Sequence, residues 1–339
     1  MLNIVLFFLV TSLVLYVVLA GADFGAGIVE LFSTERSQLL TKKTIYRVMG
    51  PVWEANHIWI IILVVVLWVG FPNFYNVLVV YLHIPLTLVL LGITMRGVAF
   101  VFRHYDAYKD KSQILYDWMF RISSLITPIF LGMTAGSMLS GRLIITDNYE
   151  AYSFSEVFIN PWLNGFSILV GLFFASLCTF LTSILLIGET DASNRKIYIR
   201  KSKYATITVI TMGFVVLCYG FIYEVTFITD FIKSPYTVGF VILSALLIFP
   251  LLQSIKHAKK VLSRTLAGLQ VILILFAAMS AHFPNLIIAS NIEMNLIETA
   301  APSHVINVLG ITLIIGGLII LPGLFHLLKS FKMIKVLER

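Results

Sequence analysis

The amino-acid sequence predicts an all-α polytopic membrane protein of about nine transmembrane helices, arranged as two four-helix bundles plus one peripheral helix. Three observations carry that prediction. The chain is 59% hydrophobic and only 12% charged, with a mean hydropathy of +0.96, whereas a soluble domain carries about 25% charged residues. Apolar runs recur at the roughly 20-residue length that spans hydrocarbon. Lys and Arg collect in alternate connections, as topology signals do.

The first run, 2–32, has no basic stretch before it and no clear small-residue cleavage site after Gly27, so it reads as a retained helix and not a leader. Runs at 51–70, 77–102 and 118–139 complete a first bundle over 1–142. The connection 143–159 carries Asp147, Glu150 and Glu156 and is expected as an ordered outer loop. Runs at 160–187, 204–227, 236–255 and 265–283 form a second bundle over 160–283. A second outer loop, 284–304, holds Glu293 and Glu298; a ninth helix at 305–328 and a cytoplasmic tail at 329–339 follow. Runs this long satisfy their own backbone as helices, whereas barrel strands would be short and alternating.

The net charge of +7 does not point to nucleic acid, because its placement is periodic. Arg36, Lys42, Lys43 and Arg47 fall in one connection; Arg103, Lys109 and Lys111 in another; Arg195 to Lys203, Lys256 to Arg264 and Lys329 to Arg339 in three more. The intervening connections hold only Arg142 and Lys233. The positive-inside rule then puts the N-terminus outside and the C-terminus in the cytoplasm. Cys178 and Cys218 stand in mid-run without CxxC spacing and read as small packing residues.

Polar residues inside the runs carry the functional signal. A carboxylate at the bilayer centre costs roughly 2.5–3.5 kcal/mol on insertion scales and is expected to line a polar path or to find a partner. Asp23 lies in Gly21-Ala22-Asp23-Phe24-Gly25-Ala26-Gly27, and Glu54 in Trp53-Glu54-Ala55-Asn56-His57-Ile58-Trp59. Topology puts both in the cytoplasmic third, with Arg96 near the inner end of the third helix and Asp117 and Arg121 opening the fourth. Glu54 and His57 are three apart, hence neighbours on one helix face. Two readings stand: ion pairs that seal the bundle, Arg96 with Glu54 or Asp23 and Arg121 with Asp117, or a proton relay through Glu54, His57 and Asp23 with Asn56 beside it.

Other chemistries fit less well. Glu54-x-x-His57 is half of a di-iron motif, but no second Glu-x-x-His exists in the chain. His83, His282 and His326 each stand alone, without a paired haem-ligand spacing. The glycines at 21, 25 and 27 with Ala22 and Ala26 form a small-residue surface for close helix packing, not a nucleotide fingerprint.

Taken in order, the first- and second-run motifs, Arg96-Gly97-Val98-Ala99-Phe100, Asp117-Trp118 with Gly132 and Gly136, and Pro161-Trp162-Leu163-Asn164 resemble subunit II of cytochrome bd-type quinol oxidases, cyanide-insensitive members included. The resemblance implies a terminal oxidase subunit in a bacterial or archaeal cytoplasmic membrane. Its complex would oxidise quinol, reduce dioxygen to water and generate proton motive force. It implies a partner, subunit I, that carries haem b and haem d-type groups, and leaves room for a small single-helix subunit; this chain is expected to bind no haem or metal itself. It assigns a cytoplasmic proton path to Glu54 with Asp23 near it, and oxygen access or a subunit interface to the neighbourhood of Trp53 and Trp59. Many members have aspartate where this chain has Glu54, and some have an acid where it has Ala20. The competing expectation is a secondary transporter or ion channel with an intramembrane carboxylate site. Transporters, however, place such sites near the midplane and show internal repeats, and neither is visible here.

Overall fold

The computed structural model describes residues 1–50, 53–105, 111–190 and 194–330. Of the expected features, Pro51, Val52, Lys109 and the tail from residue 331 lie outside the described residues. The first span, Leu2–Leu31, consists of α1 (Leu2–Leu15), a π-helical turn over Tyr16–Ala20, and α2 (Gly21–Leu31). A π turn rotates the face that the helix presents to its neighbours, and such turns gather at functional sites.

Helix α3 (Glu35–Met49) follows, where the sequence reading places only a basic connection. Thr41, Ile45 and Val48 are buried at helical spacing while Lys43 and Arg47 face out, so a short amphipathic helix closes the end of α2. Beyond it, α4 (Trp53–Asn56) is a single turn. Helices α5 (Ile58–Gly70) and α6 (Pro72–Tyr81) meet at a 116° bend. Phe71, at φ −139° and ψ 60°, lies outside the helical region, which a following proline disfavours. The third span, expected from 77, therefore begins at His83 as α7 (His83–Tyr105), because 72–81 form the bent arm.

Helix α8 (Ser112–Leu139) runs through Pro128. In the loop that follows, α9 (Phe154–Phe158) starts from a reciprocal cap in which Ser153 and Glu156 exchange hydrogen bonds. Helix α10 (Gly165–Glu189) starts at Asn164, whose Oδ1 accepts from the Ser167 N–H at 3.0 Å. Then come α11 (Arg195–Ile222), α12 (Thr226–Lys233), α13 (Pro235–Leu246), α14 (Ile248–Lys256) and α15 (Lys260–His282). An antiparallel pair, β1 (Asn285–Ile288) and β2 (Glu293–Asn295), precedes α16 (Ser303–Ser330). Among the described residues eight spans are long and apolar enough to cross a membrane, and the bent pair α5–α6 makes a ninth. The chain is an all-α polytopic membrane protein.

Helix α10 is central, packed along α2, α8 and α11. Its approach to α2 needs a missing side chain: a β-carbon at Gly25 would overlap the Cys178 carbonyl and the Thr182 hydroxyl. At the same contact the Thr182 hydroxyl donates to the Ala22 carbonyl. Its approach to α8 needs another, since a β-carbon at Gly132 would sit 2.7 Å from the Gly171 Cα. These glycines set helix separation. Helix α16 lies at the rim against α1 and α5.

The two long loops, 143–159 and 284–304, form one cap. Leu143 bridges Ala289, and the Asn291 Nδ2 donates to the Ile145 carbonyl at 2.6 Å. The Tyr81 hydroxyl donates to the Thr146 carbonyl at 2.9 Å, which ties the end of α6 beneath that cap.

Candidate intramembrane charge site

Asp23 is wholly buried in the first turn of α2. A buried carboxylate needs a compensating charge, and Arg96 on α7, 1% exposed, supplies it. Its Nη1 donates to Asp23 Oδ2 at 2.7 Å, its Nη2 to the Asp23 carbonyl at 2.9 Å, and its Nε to Ser124 Oγ on α8 at 3.1 Å. The rings of Phe24 and Phe120 lie 5.4 and 5.1 Å from the guanidinium carbon, within cation–π range. Three helices thus converge on one charge pair.

His57, at the junction of α4 and α5, brings its Nε2 to 3.9 Å from Asp23 Oδ2. That is too long for a direct hydrogen bond but short enough for strong Coulomb coupling in a buried setting. Asn56 is buried beside it. Glu54 lies one turn earlier on α4, so the backbone places it near this site; its side chain lies outside the described residues. Trp53 packs on Phe100, with ring centroids 5.3 Å apart. Trp59 is buried in an apolar cluster with Tyr16, Phe24 and Cys178.

A second charge layer lies one heptad further along α2 and α7. Glu30, seven residues after Asp23, accepts from Arg103 Nη2 at 2.9 and 3.0 Å, and Arg103 lies seven residues after Arg96. Equal steps on both helices mean that α2 and α7 run parallel, with the two acid–base rungs separated by roughly 10 Å of helix rise. Arg103 also lies 3.1 Å from Asp117, whose carboxylate takes Lys42 Nζ at 2.6 and 2.9 Å. Arg121 donates to the Asp117 backbone carbonyl at 3.0 Å and reaches Glu30 at 3.6 Å. The Asp117 carboxylate is thus engaged by Lys42 and Arg103. Glu30, Arg103 and Lys42 were not among the expected site residues, although the i to i+7 repeat of acid on α2 and base on α7 is visible in the sequence once the two helices are known to be neighbours.

The remaining membrane histidines have local roles among the described residues. His83 Nδ1 pairs with the Val80 carbonyl at 2.8 Å, and His282 Nε2 lies 3.0 Å from Asp230 Oδ2. His326 is exposed. Among the described residues no three His, Cys, Asp or Glu side chains cluster as a metal site would require. An apolar cavity of about 410 Å³ opens between α8, α10, α11 and α15, lined by Phe173, Phe180 and Phe214. Its buried Gln270 is spent on the Ser244 carbonyl at 3.1 Å. That cavity suits an apolar guest and not proton chemistry.

Comparison with known proteins agrees with this architecture. The family model described as cytochrome bd terminal oxidase subunit II matches residues 1–331. Cytochrome bd ubiquinol oxidase subunit 2 of Bacillus subtilis is 31% identical over 161 residues, 47% of this chain and 45% of that protein. The putative cytochrome bd menaquinol oxidase subunit II of the same organism is 26% identical over 327 residues, 94% of this chain and 91% of that one. Cytochrome bd-I ubiquinol oxidase subunit 2 of Escherichia coli K12 is 26% identical over 160 residues, 46% of this chain and 40% of that one. The matched region therefore spans less than half the length of two of these three relatives. The solved bd oxidase of Geobacillus thermodenitrificans superimposes with a TM-score of 0.74 over 97% of this chain and 98% of that one, at 15% identity, a likeness of fold.

Proposed function

The chain belongs to the cytochrome bd terminal oxidase subunit II family, and we propose that it serves as the subunit of a quinol:dioxygen oxidoreductase that delivers protons from the cytoplasm. On this reading subunit I of the same oxidase is its partner, carries haem b and haem d-type groups, and supplies the redox chemistry. The complex would lie in a cytoplasmic membrane with the N-terminus outside and the C-terminus inside, and the grouping into bundles over 1–142 and 160–283 belongs to the same proposal.

One observation carries the reading: the imidazole of His57, three residues after Glu54, stands 3.9 Å from the fully buried carboxylate in the first turn of α2. Glu54 takes a proton at the cytoplasmic end, and His57 passes it inward. The carboxylate of Asp23, paired with Arg96, offers a nearby negative charge to the imidazole during transfer. Trp53 and Trp59 flank this route and line the side from which oxygen or the partner subunit approaches.

The test is Glu54→Ala in the assembled oxidase, followed by oxygen consumption and proton uptake. Both should fall together, with quinol KM unchanged. Normal turnover with normal uptake would leave Glu54 a structural residue. Substrate uptake by the chain reconstituted alone would instead favour a transporter.

A further inference from the structure

Three buried polar atoms around this site have no hydrogen-bond partner among the described residues: Asp23 Oδ1, His57 Nδ1 and Tyr16 Oη. They are close neighbours. The ring centroids of Tyr16 and His57 are 6.2 Å apart, those of Phe24 and His57 5.9 Å, and those of Tyr16 and Phe24 6.5 Å. His57 Nε2 in turn lies 3.9 Å from the other oxygen of Asp23. Tyr16 is 4% exposed and opens the π turn, seven residues before Asp23, hence roughly 10 Å further from the cytoplasmic end. Its surroundings are apolar, with Trp59, Ala175 and Cys178 in the same cluster. A phenylalanine would fill that space without orphaning a hydroxyl.

Buried polar atoms are nearly always paired, and internal water is the ordinary partner where protein groups are missing; such a water takes roughly two to four polar contacts. Here the side chains that carry one carboxylate oxygen, one ring nitrogen and one hydroxyl are neighbours, from α2, the α4–α5 junction and the π turn. We propose that these three groups hold a short chain of internal water, and that the Tyr16 hydroxyl is the inward continuation of the proton path. The proposal rests on the proton-delivery reading above. The step is balanced at every atom: the phenol oxygen accepts a proton from the water on its Asp23 side and releases its own on the far side. Reorientation of the O–H then restores the starting state, and no charge remains on Tyr16. The π turn fits this role because it rotates Tyr16 out of the register that a continuous α-helix would give it.

The experiment uses the assembled oxidase in lipid nanodiscs and compares the wild type with Tyr16→Phe and Glu54→Gln. Tyr16→Phe keeps the ring and its packing. It should slow oxygen reduction by roughly tenfold or more, enlarge the solvent deuterium isotope effect and leave quinol KM unchanged. Wild-type turnover and isotope effect in Tyr16→Phe, with Glu54→Gln slow, would overturn the inference and leave the path standing. Wild-type behaviour in both variants would remove the proton-delivery reading itself. A slow Tyr16→Phe enzyme with an unchanged isotope effect would assign the residue to packing and overturn the inference as well.

Discussion

Removing the Asp23 carboxylate tests the central rung of this structure. In Asp23→Ala, Arg96 keeps two of its three hydrogen bonds, to the residue-23 carbonyl and to Ser124, together with the faces of Phe24 and Phe120. It loses its only anionic contact among the described residues, in a place where the guanidinium is 1% exposed. Deleting one partner of a buried pair costs about 3–5 kcal/mol, and each ring face returns about 0.5–1 kcal/mol of cation–π attraction. Those faces are already present in the wild type, so they limit the loss only as far as the arginine can settle closer to them. The expected destabilisation is therefore about 2–4 kcal/mol, a factor of roughly 30 to 700 in the folded-to-unfolded ratio. Reversible unfolding in mixed detergent micelles measures it. The double variant Asp23→Leu, Arg96→Leu should recover much of the loss, because replacing both charges removes the uncompensated one. A loss below about 1 kcal/mol in Asp23→Ala, or no recovery in the double variant, would refute the account of this pair as an isolated buried rung.

Two further outcomes follow from the packing and the outer cap. Gly25→Leu should separate α2 from α10, because its side chain would overlap the Cys178 carbonyl; the expected result is loss of assembled complex in a pull-down with the partner subunit, with Gly239→Leu, where a β-carbon meets nothing within 4 Å, as the tolerated control. In the loop between α8 and α10, hydrogen bonds from the Ser153 backbone N–H and hydroxyl hold the Glu156 carboxyl below the usual glutamate range. A depressed folded-state value means that the cap contributes fully above the ordinary glutamate range and is lost as pH falls through the lowered one. The protection factors of the α9 amides, taken relative to the intrinsic exchange rate at each pH, should therefore fall on acidification in the wild type, and Glu156→Gln should flatten that pH dependence.

Much of this protein is legible from residue order because a bilayer permits few solutions. Long apolar runs must be helices, and alternating basic connections orient them. Asp23 and Arg96 stand out for the same reason, since charges in such runs are expensive. What residue order does not contain is which helices touch. The ion pair of Asp23 with Arg96 spans 73 residues, and either Glu54 or Asp23 satisfied the sequence as its acid. Glu30 escaped notice because it closes the first run, where a charge usually means only that the helix has reached water; the fold instead buries it against Arg103. Helix α3 is likewise hidden among basic residues in the sequence, because its apolar face is narrow and its value lies in what it covers. The bend at Phe71 moved the start of the third span by several residues, since a proline marks where a helix breaks but not in which direction the chain turns.

The amino-acid sequence by itself determined the class of solvent, the approximate number of spans, and the presence of costly charges within them. Only the tertiary structure decided which charges neutralise one another, that they repeat as two rungs on parallel helices, and that His57 lies beside both Asp23 and Tyr16. The physical reason is one of range. Span and orientation follow from the free energy of moving short segments between water and lipid, which local composition fixes, whereas pairing depends on contacts between segments that only the packing of α2, α7, α8 and α10 brings within a few ångströms.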